Sequence, residues 1–490
     1  MNLFTATKNN ATKKSADRMI TEEQKKFIEY KGKDESIILS ATAGSGKTTS
    51  CVERLKFLLK NKVHPSKIIF FSFTNAAVDE LKIRIDNPDI KITTIHSFCS
   101  YILHKAGKYK PIMSFYNFID WYKNKNKPTK NASPKDKSEF YEKISNLYDD
   151  ADVISSTISS YKLQKADGIK SRLPDYFFDY CDFMKEKKGR DFSDMLIEVR
   201  NMLKEEKWLR MFRNKYDHIF IDEYQDTSVM QTNVLLCLNA KHYYLIGDIS
   251  QSIFDYSAGV SAKEIEKMLK KRRKVLKMTL SKNFRSGKDI VDNGNKYSNI
   301  KAIPHHDFDG EIIKDTISFE KLHKMFVERN GDEIVVLART NAAIKELEFR
   351  LMLKKTPIRY FNYFSKDEIQ MIKDKEELRY STKGKLSNVL PAFGKEEDLV
   401  NFIDGNSENK SFITTIHKSK GREFDTVVVV NSLSSDIIKY NMLDLTKKEL
   451  KFFSFDESDP EDFESRNIHY VAITRPKKEL YYMLYRNVGY

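Results

Sequence analysis

The 490-residue sequence has few cysteines and no long apolar segment. Its four cysteines are far apart and show no paired ligand spacing: they are Cys51, Cys99, Cys181 and Cys237. This argues against a disulfide framework or a zinc site and favours a reducing compartment. The chain start lacks the apolar core of a signal peptide, and runs such as 68–71 and 427–430 are far too short to cross a bilayer. We therefore expect a cytoplasmic protein with no membrane contact.

Acidic residues are scarce relative to basic ones. The chain has 85 Lys and Arg against 70 Asp and Glu, a net charge of +15. This surplus favours a polyanionic partner, because each phosphate that a protein neutralises releases condensed counterions. Charge alone does not identify such a partner, since many basic proteins bind no polyanion. The length predicts more than one domain, because single hydrophobic cores seldom exceed roughly 250–300 residues.

Short β-branched runs alternate with helical patterns along most of the chain, which is typical of parallel sheets covered by helices. The runs are SIILSA, KIIFFSF, KITTI, HIFID, YYLIGD, EIVVLART, PIRYF, FITTI and TVVVV. They form two blocks that meet near residue 265, and a stretch of helical periodicity interrupts the first. The predicted fold is α/β, with a first domain at 1–104 and 190–265, a helical insertion at 105–189, and a second domain at 266–490.

The segment SIILSATAGSGKTTS reads as a strand, a Gly-rich turn and the start of a helix. Gly44 and Gly46 let the backbone amides curl around phosphate oxygens, Lys47 can reach the β- and γ-phosphates of a nucleotide, and the Thr48 hydroxyl can ligate Mg²⁺. Ala41 stands where the general phosphate-loop pattern has its first Gly. The alternative is a chance Gly-rich turn, which the flanking strand and helix disfavour. The predicted nucleotide-binding residues here are Ala43, Gly44, Ser45, Gly46, Lys47, Thr48 and Thr49.

A second anchor is the segment YDHIFIDEYQDTS, in which an apolar strand delivers Asp222 and Glu223 at its carboxyl end. Adjacent carboxylates are often merely solvated surface residues, but here they follow a buried run and a phosphate loop. Asp222 suits a Mg²⁺ ligand acting through water, and Glu223 suits the group that polarises the attacking water. Together with Lys47, these residues predict a nucleoside triphosphatase.

These two segments, ATAGSGKT at 41–48 and DEYQD at 222–226, resemble the UvrD/Rep/PcrA helicases of superfamily 1. Seven further motifs of that family follow the expected order over almost the whole chain. They are TEEQ, FSFTNAAVDEL, TTIHSFC, YLIGDISQSIFDYSAG, LSKNFRSG, TTIHKSKGREFD and NIHYVAITRPKKEL. DFSDML and ARTN also match family segments. The resemblance implies two tandem RecA-like motor domains with ATP between them and a helical insertion in the first.

The resemblance also implies roles for individual residues. Around the nucleotide it implies that Gln24 reads adenine, Gln251 senses the γ-phosphate, Phe284 stacks on adenine, Glu423 binds ribose, and Arg285 and Arg475 reach the phosphates. The implied contacts to single-stranded DNA are Phe73, Thr74, Asn75, His96, Phe254, Tyr256 and His417. Two arginines outside the phosphate-loop domain allow a second domain to close over a triphosphate and stabilise the charge of the transition state.

Two positions depart from the family pattern. Ser257 stands where the family usually has a basic residue after the stacking aromatic, which puts that DNA contact in doubt. Pro476 replaces the usual small residue after the arginine. His305–His306 lacks any Cys or carboxylate pattern that would complete a metal site, and we expect a loop beside Pro304. The basic run KMLKKRRKVLK at 267–277 is suited to a phosphate backbone or a localisation signal, although such runs are more often solvated helix faces.

The predicted function is an ATP-dependent DNA helicase that uses Mg²⁺ and moves 3′→5′ on single-stranded DNA. Its expected partners are single-stranded and tailed duplex DNA, with replication or repair proteins as further candidates, and we expect a monomer. We expect the protein to lie in the cytoplasm, either associated with the nucleoid or as a viral protein in a host cell. The alternatives are a translocase that strips proteins from single strands, an RNA helicase, and a nucleic-acid-binding scaffold with dead catalysis; the intact catalytic residues argue against the last.

One segment predicts weak strand separation. The family inserts a large helical subdomain between the ARTN and TTIH motifs, whereas Asn341 and Thr414 are only 73 positions apart here. The helix NAAIKELEFRLMLKK and the strand PIRYF take about twenty of them. The remainder, at about 362–411, is polar and predicted to be a short irregular insertion without a core of its own, because very short chains rarely fold unaided.

Overall fold

The computed structural model describes residues 20–32, 35–253, 262–375, 378, 380–455 and 463–486. Six parallel strands form the first sheet: β1 (Glu35–Ala41), β2 (Ile68–Phe71), β3 (Lys91–Thr93), β4 (His218–Asp222), β5 (His242–Gly247) and β6 (Lys274–Leu280). Their order across the sheet is β3-β2-β4-β5-β1-β6. All four residues of β2 are buried, as expected for a parallel strand covered on both faces.

In the part of the chain that the structure describes, eight helices accompany the first sheet: α1 (Glu22–Ile28), α2 (Lys47–Lys60), α3 (Asn75–Ile85), α4 (Ile95–Lys105), α9 (Phe192–Met202), α10 (Glu206–Phe212), α11 (Val229–Cys237) and α12 (Ala262–Lys270). Several begin at a Ser, Thr or Asp whose side chain accepts a backbone N–H of the first turn, as Thr74 does for α3 and Thr94 for α4. Such caps satisfy amides that have no partner inside the helix.

The helical insertion lies between α4 and α9. Its helices are α5 (Phe115–Lys125), α6 (Pro134–Asp149), α7 (Ala151–Ala166) and α8 (Phe177–Glu186). They enclose a separate core that includes Phe118, Ile144 and Phe183. The predicted helical insertion is therefore confirmed.

Five parallel strands form the second sheet: β9 (Glu311–Thr316), β10 (Ile334–Ala338), β11 (Phe412–Thr415), β12 (Phe424–Val430) and β15 (Pro476–Met483). Their order is β11-β10-β12-β15-β9. Two short parallel pairs lie beside the sheets: β7 (Lys282–Asn283) with β8 (Ile303–Pro304), and β13 (Leu433–Ser434) with β14 (Ser454–Phe455). The predicted α/β fold with two tandem RecA-like parallel sheets is confirmed.

Outside the gaps at 376–377, 379, 456–462 and 487–490, ten helices accompany the second sheet: α13 (Lys288–Gly294), α14 (Phe319–Glu328), α15 (Asn341–Leu353), α16 (Lys366–Lys373), α17 (Tyr380–Phe393), α18 (Glu396–Gly405), α19 (Ile416–Ser419), α20 (Ser435–Tyr440), α21 (Lys447–Phe453) and α22 (Phe463–Ile473). No helix among the described residues is long and apolar enough to cross a membrane.

The first sheet extends past the boundary that the strand–helix alternation predicts near residue 265. Its edge strand β6 pairs with β1 in parallel along its whole length, from Glu35 and Lys274 to Ala41 and Leu280. The basic run at 267–277 is thus the end of α12, a turn and the first part of β6, and only partly a helix face. We propose that the division between the two motors follows Leu280.

Two expectations about the second motor need correction. The run PIRYF forms no strand; only Arg359 makes an isolated bridge, to Phe412 of β11. The segment 362–411 is not irregular, because α16, α17 and α18 occupy most of it. Its buried side chains, among them Leu386 and Leu399, share one core with Val336 and Leu347 of the second motor. Packing against an existing motor core stabilises helices that are too short to form a core alone.

Candidate functional site

The Gly-rich loop between β1 and α2 lies against the segment that leads into the second motor. Gly44 and Gly46 have left-handed φ values of 69° and 76°, which glycine adopts at little cost. A Cβ placed on Gly44 would lie 2.7 Å from the Cβ of Arg285. Asn283 Nδ2 donates to the Ala43 carbonyl at 2.7 Å, and the Phe284 amide donates to the Gly44 carbonyl at 2.9 Å. The loop therefore has no room for a side chain at Gly44.

The first turn of α2 holds the remaining residues predicted for this loop. Lys47 begins the helix and is half-buried, as are Thr48 and Thr49. Thr49 Oγ1 accepts a hydrogen bond from Arg84 Nη2 at 2.8 Å. Ser45 is buried, and its hydroxyl donates to the Thr42 carbonyl at 2.8 Å. Free amides at a helix N-terminus bind anions, so the structure places a phosphate-binding geometry at this point.

Gln24 contacts the same loop from α1. Its Nε2 donates to the Ser45 carbonyl at 3.3 Å, and its Oε1 accepts the Thr21 amide at 3.0 Å in a capping box. A Cβ on Gly46 would lie 2.9 Å from Gln24 Nε2. The structure thus brings the predicted adenine-reading residue to the edge of the phosphate loop, where its amide group also fixes the loop and the start of α1.

Asp222 and Glu223 lie at the carboxyl end of β4, and Glu223 has a left-handed φ of 50°. Burial and the charge of Glu223 raise the pKa of Asp222, and Lys47 opposes that rise. Burial would also raise the pKa of Glu223, but Lys47, Lys420 and a hydrogen bond from Gln225 hold it well below its usual range. The Gln225 Nε2 donates to Glu223 Oε2 at 2.6 Å. Glu223 is therefore held as a carboxylate, which can accept a hydrogen bond from a bound water.

Gln251 joins the first motor to the second. Its Nε2 donates to Asp248 Oδ2 at 2.7 Å, and its Oε1 accepts a hydrogen bond from Arg475 Nη2 at 3.2 Å. Lys420 Nζ donates to the Gln251 carbonyl and to Asp226 Oδ2, each at 2.5 Å. The side chains of Lys420 and Asp226 are 9% and 1% exposed. One buried network therefore connects the DEYQD segment, the predicted γ-phosphate sensor and two cations of the second motor.

The two predicted phosphate-contacting arginines lie beside each other, next to this network. Arg475 is buried, and its Nε and Nη1 donate to the Val471 and Arg422 carbonyls at 2.9 and 3.1 Å. Burial and the nearby Arg285 lower the pKa of Arg475, whereas Glu223 acts to raise it. The structure brings Arg475 close to Glu223 of the first motor, with Arg285 beside it.

Arg285 is held by an acceptor that was predicted for another role. Its Nε donates to Glu423 Oε2 at 2.9 Å and its Nη1 to the Thr474 carbonyl at 3.0 Å. Lys477 lies 3.5 Å from the other oxygen of Glu423. The Glu423 carboxylate, for which the resemblance implies ribose, thus forms an ion pair with Arg285 in this arrangement.

Phe284 packs against His305, with ring centroids 4.7 Å apart, and His306 Nε2 forms a 2.9 Å hydrogen bond with the Phe284 carbonyl. From the sequence, we expected a loop here and assigned no function to His305 or His306. Among the described residues, no group of three or more His, Cys, Asp or Glu side chains is arranged to hold a metal. The parallel pairing of β7 with β8, which the sequence did not predict, brings His305 to the ring predicted to stack on adenine.

The predicted single-strand contacts of the first motor lie at the carboxyl edge of its sheet. Phe73 and Thr74 follow β2 and are exposed, with the Phe73 side chain 46% exposed. Asn75 begins α3 and is also exposed. His96 follows β3 and is half-buried. Carboxyl ends of parallel strands meet at one edge of a sheet, where ligands usually bind.

The remaining contacts lie elsewhere. His417 is half-buried in α19, directly after β11 of the second sheet, and it forms a hydrogen bond with the Ile253 backbone. Phe254 and Tyr256, together with Ser257, lie outside the described residues.

Comparison with known proteins agrees with this geometry. The family description "UvrD/REP helicase N-terminal domain" matches residues 20–275, and "UvrD-like helicase C-terminal domain" matches residues 370–487. The chain belongs to the UvrD/Rep helicase family. The first match covers β1 to β5 and the second covers β11 to β15, so each motor sheet of this UvrD/Rep protein is represented.

Curated proteins similar to this UvrD/Rep chain carry helicase names. A "Probable DNA helicase II homolog" of Mycoplasma capricolum is 28% identical over 384 residues, which cover 70% of this chain and 52% of that protein. The "ATP-dependent DNA helicase PcrA" of Staphylococcus aureus is 26% identical over 358 residues, covering 66% and 48%. A "Probable DNA helicase" of Mycoplasma pneumoniae is 25% identical over 479 residues, covering 91% and 79%. The chain spans about half the length of the first two.

Within this UvrD/Rep site, two contacts were missed from the sequence. Phe192 is 53% exposed and packs on His96 with ring centroids 4.7 Å apart. An apolar residue directly after the helix-capping Asp191, on a helix end that faces outward, is the signal that would have found it. The Lys420–Asp226 ion pair carried no such signal, because its partners lie 194 positions apart.

Proposed function

We propose that this UvrD/Rep chain is an ATP-dependent DNA helicase that moves 3′→5′ along single-stranded DNA and couples ATP hydrolysis to strand separation. The observation that carries the proposal is the buried network in which Lys420 binds Asp226 and Gln251 while Arg475 binds Gln251. Such a network joins both motors at the point where a triphosphate would lie. The names of the relatives support ATP as the fuel and DNA as the track, and the motifs TTIHKSKGREFD and NIHYVAITRPKKEL support the polarity by their likeness to the UvrD/Rep branch.

The phosphate chemistry follows from the side chains. ATP would lie between the motors, with its β- and γ-phosphates at Lys47 and the amides of α2. The Glu223 carboxylate would orient the attacking water, and Arg285 and Arg475 would stabilise the charge that develops on the transferred phosphoryl group. Arg285 would move from Glu423 to a phosphate when ATP binds. That exchange would free the Glu423 carboxylate to accept the ribose hydroxyls.

Residues for Mg²⁺ are present in a fitting arrangement. Asp222 supplies a half-buried carboxylate and Thr48 a half-buried hydroxyl beside the phosphate loop. Mg²⁺ prefers such hard oxygen ligands, one or two from the protein and the rest from phosphates and water. Burial and the adjacent Glu223 raise the pKa of Asp222, and a bound cation would favour its ionised form. When bound, the metal would neutralise charge on the phosphates.

Coupling to the strand would run through a short path. Gln251, the predicted γ-phosphate sensor, lies two positions from Ile253, whose backbone forms a hydrogen bond with His417. Asn467 Nδ2 donates to the Ser252 carbonyl at 2.8 Å. A change of nucleotide that moves Gln251 would therefore shift the backbone that positions His417, a residue predicted to contact the strand.

A second candidate, translocation with little unwinding, is favoured by one observation. The helices α16 to α18 bury their apolar side chains in the core of the second motor and form no separate subdomain within the described residues. A motor without a separate lobe beside the duplex would move along a strand and displace bound proteins, yet separate strands poorly. RNA as the track is a further alternative that only experiment separates from DNA.

The test combines displacement and unwinding. Streptavidin should leave a 5′-biotinylated single strand of DNA quickly in the presence of ATP and leave a 3′-biotinylated strand slowly, and RNA of the same sequence should support neither. Preferential clearing of the 3′ label would refute the polarity. Single-turnover unwinding of a tailed duplex then separates the two candidates: a rate near the translocation rate supports the helicase, and a rate far below it supports the translocase.

A further inference from the structure

The basic run at 267–277 remains without a role in the proposed motor. It contains seven Lys and Arg and no acidic residue, and it covers the end of α12, a turn and the start of β6. Part of it serves the fold. Glu266 binds Lys277 at 2.7 Å and Lys270 at 3.5 Å, Lys274 binds Glu35 at 2.9 Å, and Arg273 donates to Asn239 at 2.7 Å.

Three cations of the run make no contact of this kind. Lys267, Lys271 and Arg272 are exposed, and their side chains make no hydrogen bond or ion pair with any described residue. Lys267 and Lys271 line an open groove of about 500 Å³. Lysines on an edge strand discourage pairing with another chain, but that account concerns Lys274 and Lys277 of β6 and leaves these three unexplained.

The positive surface extends beyond the run. Burial raises the pKa of Cys237, while the charges of Arg272, Lys204 and Arg200 oppose the rise, so all three cations lie near this thiol. Arg200 is bound to Asp167, whereas Lys204 is exposed. We call Lys204, Lys267, Lys271 and Arg272 the basic face.

The basic face is remote from the nucleotide. Lys274 pairs with Glu35 at the amino end of β1, and Leu280 pairs with Ala41 at its carboxyl end, directly before the phosphate loop. Six residue steps of a strand span about 20 Å. Lys271 and Arg272, which come just before Lys274, therefore lie at the opposite edge of the sheet from the Gly-rich loop and from the exposed Phe73, outside the ATP site and the predicted strand path. Lys267 lies one turn earlier, in α12.

Its composition indicates which nucleic acid it fits. Single-strand sites combine cations with exposed aromatic rings on which bases stack. Among the described residues of 262–280 there is no aromatic residue, and the nearby Tyr243 is buried beneath Arg273. Cations without stacking rings contact backbone phosphates and read no bases. We propose that the basic face binds the phosphate backbone of duplex DNA, at a contact outside the translocation path. The choice of DNA rests on the proposed function.

The test compares two charge-matched variants. Lys267→Ala/Lys271→Ala/Arg272→Ala removes three cations of the basic face, and Lys60→Ala/Lys321→Ala/Lys345→Ala removes three exposed cations elsewhere. Fluorescence anisotropy would measure affinity for a blunt duplex of about 20 base pairs and for a short oligothymidylate over a series of salt concentrations. Each lost duplex phosphate contact lowers the slope of log K against log salt by about 0.9.

We expect the basic-face variant to bind the duplex at least about tenfold more weakly near 100 mM salt, with a slope smaller by about two to three. The control should keep wild-type duplex binding, and ATP hydrolysis stimulated by the oligothymidylate should be unchanged in both variants. Equal duplex binding by the two variants would overturn the proposal and leave an acidic protein as the occupant. An equal loss for duplex and oligothymidylate would overturn the duplex assignment. Absence of stimulated hydrolysis in the wild type would instead contradict the proposed function.

Discussion

Lys420 allows the contact between the two motors to be tested quantitatively. A Lys420→Met substitution keeps most of the side-chain volume but removes the charge that binds Asp226 Oδ2 and the Gln251 carbonyl at 2.5 Å each. Removing one member of a buried ion pair costs about 3–5 kcal/mol. We therefore expect the free energy of unfolding to fall by about 3 kcal/mol or more. The turnover of ATP should fall as well, because Lys420 no longer ties the Asp226 carboxylate to the Gln251 backbone where the two motors meet.

The structure supplies a matched control at the surface. Lys56 Nζ lies 2.8 Å from Glu53 Oε1, and these side chains are 54% and 34% exposed. A surface pair of this kind contributes about 0–1 kcal/mol, so Lys56→Met should leave stability and turnover almost unchanged. Adding Asp226→Asn to Lys420→Met should restore part of the lost stability, since it removes the buried negative charge. Urea denaturation and stimulated ATP turnover are the assays, and a Lys420→Met protein as stable and active as Lys56→Met would refute the reasoning.

Three further outcomes follow from the structure. Gly44→Ala should raise the KM for ATP and lower kcat, because the new methyl group would lie 2.7 Å from the Cβ of Arg285; steady-state kinetics measures both. Burial lowers the pKa of His469 to about 4, so the unfolded chain binds a proton between pH 6.5 and 4 that the folded protein does not. As the pH is lowered from 6.5 to 4, the free energy of unfolding should therefore decrease by up to ~1.4 kcal/mol per pH unit, as measured by urea denaturation. Phe192→Ala should weaken binding of single-stranded DNA by about 1–3 kcal/mol, the contribution of stacking on one base, with little change in stability; anisotropy measures it.

Each of these outcomes has its own control. Gly107 has a φ of 68° but open space around its Cα, so Gly107→Ala should keep normal KM and kcat; equal effects at both glycines would show backbone strain rather than a clash. His469→Asn should reduce the pH dependence and leave the part carried by His218, whose pKa burial lowers to about 3; an unchanged slope would mean that His469 contributes nothing. Phe178 is 69% exposed on the helical insertion, and a Phe178→Ala variant that weakened single-strand binding as much as Phe192→Ala would remove the case for a specific stacking site.

The strands with the simplest sequence patterns were predicted well. The run TVVVV is β-branched and fully buried, and HIFID is buried as far as Ile221. Such continuous buried runs indicate parallel strands. The expectation that PIRYF forms a strand was wrong, because only Arg359 pairs with Phe412 and no continuous strand pairing follows. The expectation for 362–411 was wrong because its apolar residues pack against α15 and β10, and contacts distant in sequence decide that outcome.

The site was predictable to the extent that its residues lie next to one another in the chain. Lys47 begins the helix after β1 and its loop, Asp222 ends β4 and Glu223 follows it, so sequence spacing alone could predict their placement. The engagement of Glu423 with Arg285 and the packing of His305 on Phe284 depend on tertiary contacts between segments far apart, which no spacing reports. The charge of the basic run was evident from the sequence. Which of its cations stabilise the fold and which are exposed became clear only from the ion pairs of Glu266 and the position of β6.

The central claim, ATP hydrolysis driven by contact with single-stranded DNA, is tested most directly by one measurement. Steady-state ATP turnover would be compared with and without single-stranded DNA for the wild type, Glu223→Gln and the exposed control Glu408→Gln. We expect strong stimulation by DNA in the wild type and the control, and turnover at least ~10²-fold lower in Glu223→Gln, the low end of the loss of general-base help, with ATP and DNA binding retained. Turnover that ignores DNA, or near-normal turnover in Glu223→Gln, would contradict the account.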